Sequence, residues 1–264
     1  MIENKNIVLT GASSGIGLEV LKLLMGGKGN RILAVSRRVD SLEGLAPNVI
    51  PFSCDVSSAE GVDAIFAKAE EVLGKIDIFY ANAGFPYFEE YNYTDWARVK
   101  KIFDTNTLSP IYTYSKYLAH LNGREGTLAY TISAMGTMAM PGYALYTASK
   151  FAMTGFQEAI RLEKPDNLKI TCIYPVATST NFFNVGGNGI KMRKPFPVQK
   201  ATTVAKAAVK GIEKGKDQVS PCFLFDVSKV LMVLPPVKNL YWKLETNKFL
   251  EFVEAKKQAL KEKK

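Results

Sequence analysis

Tyr146 and Lys150 stand four residues apart in the run Tyr146-Thr147-Ala148-Ser149-Lys150. On a helix that step puts a phenol and an ammonium on one face, with Cβ atoms roughly 5–6 Å apart. A free tyrosine titrates near ~10, too high for proton exchange at neutral pH. A cation about 5 Å away, at an effective dielectric of about 20, is worth roughly 3 kcal/mol to the phenolate. That is about two pKa units, which brings the phenol into range for acid–base chemistry. Such a pair also arises by chance as solvated polarity, so its meaning depends on what surrounds it.

A second group of residues could hold phosphate. Thr10-Gly11-Ala12-Ser13-Ser14-Gly15-Ile16-Gly17 follows a short apolar run and opens an amphipathic stretch. Gly11 permits a tight turn, Gly15 lets backbone approach a pyrophosphate, and Gly17 allows a helix to pack closely on a sheet. A helix N-terminus there supplies open N–H groups and partial positive charge. A site for an unphosphorylated adenine ribose calls for an acid about 20 residues on. This chain has Ser36-Arg37-Arg38 instead. A hydroxyl and two guanidiniums suit a 2′-phosphate, so NADP(H) is expected over NAD(H). Asp55, with Val56, and Asn82-Ala83-Gly84 close two further apolar runs. Asp55 could accept from an adenine amino group, and the small residues would admit a cofactor. Asn82 reads more readily as an amide stitching strands together.

These residues need a scaffold, and the pattern supplies one. Strands are expected at 6–10, 31–36, 49–54, 76–81, 127–133, 169–174 and 217–220, from their β-branched, nearly all-apolar character. Helices are expected at 15–25, 59–73, 95–121, 145–163 and 202–214. Such alternation reads as βαβ units around a parallel sheet. The chain of 264 residues fits one large α/β domain, and 47% hydrophobic residues suffice for its core. Cys54, Cys172 and Cys222 are scattered and odd in number, which suits a reducing cytoplasm and offers neither a disulfide framework nor a metal pattern. No secretory signal is expected at the start. His120 lacks ligand-type neighbours and reads as structural. The net charge of +9 raises nucleic acid as a partner, but no basic–aromatic motif supports it and much of the excess lies on the tail.

Taken in order, these motifs resemble the short-chain dehydrogenase/reductase family over about residues 5–220: the glycine loop, Cys54-Asp55-Val56, Ala81-Asn82-Ala83-Gly84, Asn106, Ser133, Tyr146-x-x-x-Lys150 and Pro175…Thr180. The resemblance implies a doubly wound, seven-stranded Rossmann sheet and hydride transfer between a nicotinamide and a carbonyl/alcohol pair. It implies Tyr146 as acid/base, Lys150 as the group that lowers its pKa and holds ribose hydroxyls, and Ser133 as a hydrogen-bond partner of the substrate oxygen. Asn106 would anchor a water leading from Lys150 to solvent. Pro175, Thr178 and Thr180 would flank the nicotinamide, with Thr180 on its carboxamide. Val176 departs from the family's usual glycine. Homodimers or homotetramers are usual in the family. A non-catalytic NADP(H)-binding regulator on the same fold is the competing reading.

For substrate, Met135, Met138 and Met140 lie between Ser133 and Tyr146, and methionines adapt to varied apolar shapes. Phe85, Pro86, Tyr87 and Phe88 follow Gly84, and Phe182, Phe183, Met192 and Phe196 populate a loop over about 181–199 that would cover the substrate. As a group they favour a hydrophobic carbonyl, such as a ketosteroid, a retinoid-like aldehyde or a fatty chain. The chain is expected to divide into a catalytic domain (1–222) and a helical extension (223–264). The apolar run 230–237 is too short to span a bilayer. A helix over about 237–262 would place Val237, Leu240, Tyr241, Leu244, Phe249, Phe252, Val253 and Leu260 together, with lysines opposite. Either it packs on its own domain or on a partner subunit, the favoured reading, or it anchors peripherally on an anionic membrane.

Overall fold

A computed structural model describes residues 1–180 and 195–261. Seven parallel strands form one sheet in the order β3-β2-β1-β4-β5-β6-β9. They are β1 (Asn6–Thr10), β2 (Arg31–Ser36), β3 (Val49–Ser53), β4 (Ile78–Ala81), β5 (Gly126–Thr131), β6 (Leu168–Ile173) and β9 (Gln218–Val219). A separate parallel pair joins β7 (Ala177–Ser179) to β8 (Val198–Lys200). The order reverses direction between β1 and β4, and in open α/β sheets that switch point is where ligands bind, outside the carboxyl ends of the strands.

Both faces of the sheet are covered, which is why its central strands read as unbroken apolar runs. On one face Leu9, Val20, Leu24, Ile32, Val204 and Ile212 bring helices α1 (Gly15–Met25) and α6 (Ala201–Glu213) onto the strands. On the other, Val8, Phe66, Phe79, Tyr117, Met153 and Ile170 unite α2 (Ala59–Leu73), α4 (Ser109–Leu121) and α5 (Ala144–Glu163) with the sheet.

Two departures from the sequence pattern matter for function. The single helix expected over 95–121 is broken. α3 (Trp96–Phe103) and α4 are joined by one π-helical turn, Asp104–Leu108. Residue 110 is a proline, which has no N–H for the Asn106 carbonyl and whose ring would strike it in a straight α-helix. The widened turn relieves that collision. In addition, β5 ends at Thr131, so Ser133 lies beyond the strand at the start of a 3-10 turn, Ala134–Gly136.

The tail was only partly legible. It holds two helices, α7 (Phe223–Leu231), which the pattern missed, and α8 (Pro235–Lys261). Phe249 and Phe252 of α8 pack edge-on against Phe88, with ring centroids at 5.8 and 4.5 Å, and Val253 is buried beside them. The helix therefore packs on its own domain. Leu240 and Leu244 do not share that face: they are 61% and 53% exposed. The Leu260 side chain lies outside the described residues.

Candidate active site

The glycine loop takes the shape its residue types require. Gly11 has φ +68°, a backbone conformation that side chains resist. A Cβ on Gly17 would stand 2.1 Å from the Gly11 carbonyl oxygen, so nothing larger fits where α1 meets the turn. Ser14 begins α1 without a side-chain hydrogen bond to its first turn, whereas Ser58 and Asp95 cap α2 and α3. The first N–H groups of α1 are thus left facing the loop, the arrangement that binds phosphate. The Ser13 and Ser36 hydroxyls lie 2.6 Å apart, which joins the loop to the end of β2. Arg37 and Arg38 follow in exposed positions, and no carboxylate pairs with either among the described residues. Asp55 loses stability as an anion through partial burial. The Ser57 hydrogen bonds and the field of Arg37 and Lys101 outweigh that loss and hold its carboxyl below the usual range.

Asn82 serves as the stitch. Its amide donates to the Thr10 carbonyl at 3.1 Å and accepts from the Thr131 hydroxyl at 2.9 Å, tying β1, β4 and β5 at their carboxyl ends. Gly84 is pressed against the site as well. A Cβ there would lie 3.1 Å from Asn106 Oδ1 and 3.6 Å from Lys150 Nζ.

The proposed acid–base pair is buried. Tyr146 and Lys150 are 5% and 4% exposed, and Lys150 Nζ lies 5.8 Å from the centre of the phenol ring. Nζ donates to the Thr131 carbonyl at 3.0 Å. The Ser133 hydroxyl accepts from the Met135 amide at 3.1 Å and hydrogen-bonds the Tyr146 phenol. Ser133 reaches this position with φ 142° and ψ 155°, a region populated almost solely by glycine.

Electrostatics here differ from the expectation of a depressed phenol. Burial pushes Tyr146 up to about 12, and the Ser133 hydrogen bond opposes it without winning. Burial also brings Lys150 down to about 8. Taking both groups out of water costs the charged form of each more than their mutual attraction returns. At neutral pH the phenol therefore holds its proton while the ammonium remains charged.

The Asn106 side chain ties two parts of the site together. Nδ2 donates to the Phe85 carbonyl at 2.9 Å and to Ser149 Oγ at 3.2 Å, and Oδ1 accepts from the Phe85 amide at 3.1 Å. The side chain thus fastens the 85 loop to α5. Sequence reasoning missed Ser149. Its hydroxyl donates to the Tyr146 carbonyl at 2.7 Å, and its own carbonyl accepts from Thr107 at 3.1 Å.

Ser133, Tyr146, Lys150 and the glycine loop face one cavity of about 660 Å³, whereas Asn106 and Ser149 do not. The glycine loop, Ser36–Arg38, Asp55–Val56 and Asn82–Gly84 line one end, while Ser133, Tyr146, Lys150, Pro175, Val176, Thr178 and Thr180 line the other. Met135, Met138, Met140, Phe85, Pro86 and Phe196 also face it. Tyr87 and Phe88 do not. Tyr87 stacks under Arg98, and Phe88 is enclosed by Tyr143, Phe249 and Phe252. Phe182, Phe183 and Met192 lie outside the described residues. Val176 packs against the core beneath the cavity as well as lining it. Lys101, Thr105 and residues of α7 join the lining without having been singled out by any motif. Among the described residues no cluster could hold a metal ion.

A parallel sheet with its switch point under a glycine loop, and a serine–tyrosine–lysine group beside it, define a nicotinamide-dependent oxidoreductase of the Rossmann type. Residues 5–188 match the short chain dehydrogenase family. An 11-beta-hydroxysteroid dehydrogenase 1A of Arabidopsis thaliana is 30% identical over 253 residues, covering 88% of this chain and 72% of that protein. The NADPH-dependent 1-acyldihydroxyacetone phosphate reductase of Saccharomyces cerevisiae is 30% identical over 275 residues, covering 91% of this chain and 89% of that one. Among solved structures, an alcohol dehydrogenase from the archaeon Thermococcus sibiricus, complexed with 5-hydroxy-NADP, superposes with a TM-score of 0.71 at 27% identity, over 82% of this chain and 95% of that one. The chain belongs to the short-chain dehydrogenase/reductase family and is an NAD(P)-dependent oxidoreductase.

Proposed function

We propose that this enzyme uses NADP(H) to interconvert a carbonyl and an alcohol on a hydrophobic substrate, with Tyr146, Lys150 and Ser133 at the reacting oxygen. The observation that carries this reading is that Ser133, Tyr146 and Lys150 line the same cavity as the glycine loop and Ser36–Arg38. The residues present fit a dinucleotide, because Gly11 and Gly17 make a cradle that a Cβ would fill and α1 leaves its first turn uncapped. When bound, the nicotinamide supplies hydride to the carbonyl carbon. Tyr146 gives its proton to the carbonyl oxygen, and Ser133 shares the developing negative charge. Lys150 has one donor on Thr131 and two left for ribose hydroxyls. The uncapped N–H groups of α1 take the pyrophosphate, Arg37 and Arg38 the 2′-phosphate, and Thr178 and Thr180 flank the nicotinamide. Asn106 anchors a water through which a proton returns to Lys150 from solvent.

The methionines and Phe85 support an apolar substrate, as do relatives whose names place them on a steroid and on an acylated lipid. Tyr146→Phe tests the mechanism. Turnover of a ketone panel should fall by at least a thousandfold while NADPH affinity stays within threefold. Full activity in that variant would refute it.

The remaining parts of the reading concern the tail and the assembly. We divide the chain at residue 222 into a catalytic domain and a helical extension, and place the protein in the cytoplasm, consistent with three free thiols. Among the described residues no helix is long and apolar enough to cross a membrane. Phe223, Val230, Val233 and Leu240 are nevertheless 77%, 71%, 77% and 61% exposed, which supports peripheral contact with a lipid surface. Exposed Leu108 and Phe151, at the end of the π turn and on α5, support a homodimer or homotetramer, which light scattering would reveal.

A further inference from the structure

We infer that helix α7 is the specificity-determining wall of the substrate end of the cavity, and that it selects carbonyls with a long apolar body. The inference rests on the carbonyl-reductase reading above and deepens it. Leu224, Val227, Ser228 and Leu231 follow the i, i+3, i+4, i+7 spacing of one helical face, and all four line the cavity that holds Ser133 and Tyr146. The rotation of the helix is fixed by its neighbouring face. Phe225 is 2% exposed and sits in the core cluster that includes Tyr174 and takes Val176 against it.

The wall offers little for a polar substrate to bind. Ser228 Oγ donates to the Phe225 carbonyl at 2.8 Å and is spent within the helix. The charged residues of α7, Asp226 and Lys229, pair with each other at 2.9 Å. Leu224, Val227 and Leu231 are 55%, 39% and 46% exposed, although they face a concave space and not a convex surface. An apolar ligand removes that surface from water, whereas a short polar one leaves it wet. Met140 lines the same cavity, and the Tyr241 hydroxyl of α8 reaches its sulfur at 3.7 Å, joining the tail to the segment between Ser133 and Tyr146.

A series of methyl ketones from butan-2-one to tetradecan-2-one, followed by NADPH absorbance on the full chain, tests this. For the wild type, kcat/KM should rise about fourfold per methylene until the wall is covered. Leu231→Trp, which fills the wall, and Val227→Glu, which charges it, should each cut the ratio of tetradecan-2-one to butan-2-one kcat/KM by at least tenfold, with thermal melting confirming the fold. An unchanged ratio in both variants overturns the assignment. Calorimetric titration of decan-2-one separates this claim from the reductase reading. If no ketone is turned over but decan-2-one binds and Leu231→Trp weakens it tenfold, the wall stands and the reductase reading falls. If decan-2-one binds wild type and both variants alike, the wall falls whatever the turnover.

Discussion

Ser133 is held in a conformation that glycine adopts freely and serine does not. The region around φ 142° and ψ 155° costs a side-chain-bearing residue roughly 1–3 kcal/mol. Comparing Ser133→Ala with Ser133→Gly isolates that cost. Both variants lose the hydroxyl, so both strand the Met135 amide and both break the contact with Tyr146. They differ only in whether a Cβ remains. Glycine gives back about 0.4–1 kcal/mol through the greater freedom of its unfolded chain. The net expectation is that Ser133→Gly is more stable than Ser133→Ala by about 1–2 kcal/mol. For 264 residues, an unfolding entropy of about 2.1 cal/mol/K per residue gives about 0.55 kcal/mol/K. The glycine variant should therefore melt ~2–4 °C above the alanine variant by calorimetry. Both should lose turnover by about 100- to 1000-fold, the usual worth of one donor at a developing oxyanion. A glycine variant that melts ~1–2 °C below the alanine variant would show that no strain is stored at Ser133, and with it the view of a backbone distorted to aim this hydroxyl would be lost.

The other predictions test burial, charge and the tail. Lys150 titrates lower in the fold than in the open chain, near 8 against its ordinary value, so its burial costs ~3 kcal/mol below pH 8, and that penalty fades as pH rises towards 10.5. Lys150→Met should thus melt higher than wild type at pH 7, by ~1–2 kcal/mol after loss of the Thr131 hydrogen bond, and the gain should shrink above pH 8; a gain independent of pH would contradict the assignment. Arg37→Ala should reduce the preference for NADPH over NADH at least tenfold in fluorescence titrations, and an unaltered preference would remove Arg37 from the phosphate site. The pair Val233→Glu with Leu240→Glu should abolish co-sedimentation with vesicles of phosphatidylcholine and phosphatidylglycerol; retention equal to wild type would exclude this face as the lipid contact.

Much of the site is legible in the sequence because it depends on residue type at fixed local spacing. Gly11, Gly15 and Gly17 encode a turn, and the step from Tyr146 to Lys150 encodes a shared helical face. Where function depends on what the fold brings from afar, the sequence is silent. The partners of Asn106 are backbone groups of Phe85 and a hydroxyl on α5, 21 and 43 residues away. The π turn had a local signal, Pro110, that the apolar periodicity outweighed. α7 went unread because its apolar residues face a core, a cavity and the surface at once, and such a helix shows no clean stripe. The direction of the Tyr146 shift escapes the sequence for a related reason. A charge-pair estimate uses two residues, whereas desolvation sums over every atom that excludes water from them.

Several local rules are broken in this chain, and the breaks share one place. Ser133 has a glycine's dihedrals, Lys150 is a buried ammonium, the helix before α4 takes a π turn, and α1 lacks the side-chain cap that α2 and α3 have. Each departure costs stability on its own, of order 1 kcal/mol for a missing cap or a strained residue. Scattered over the surface they would be noise. Here they converge on the carboxyl edge of β1, β4 and β5, around a single cavity lined by Ser14, Thr105, Ser133 and Lys150. The large apolar core beneath offsets these costs, the pattern expected of a fold whose chemistry lies at its switch point.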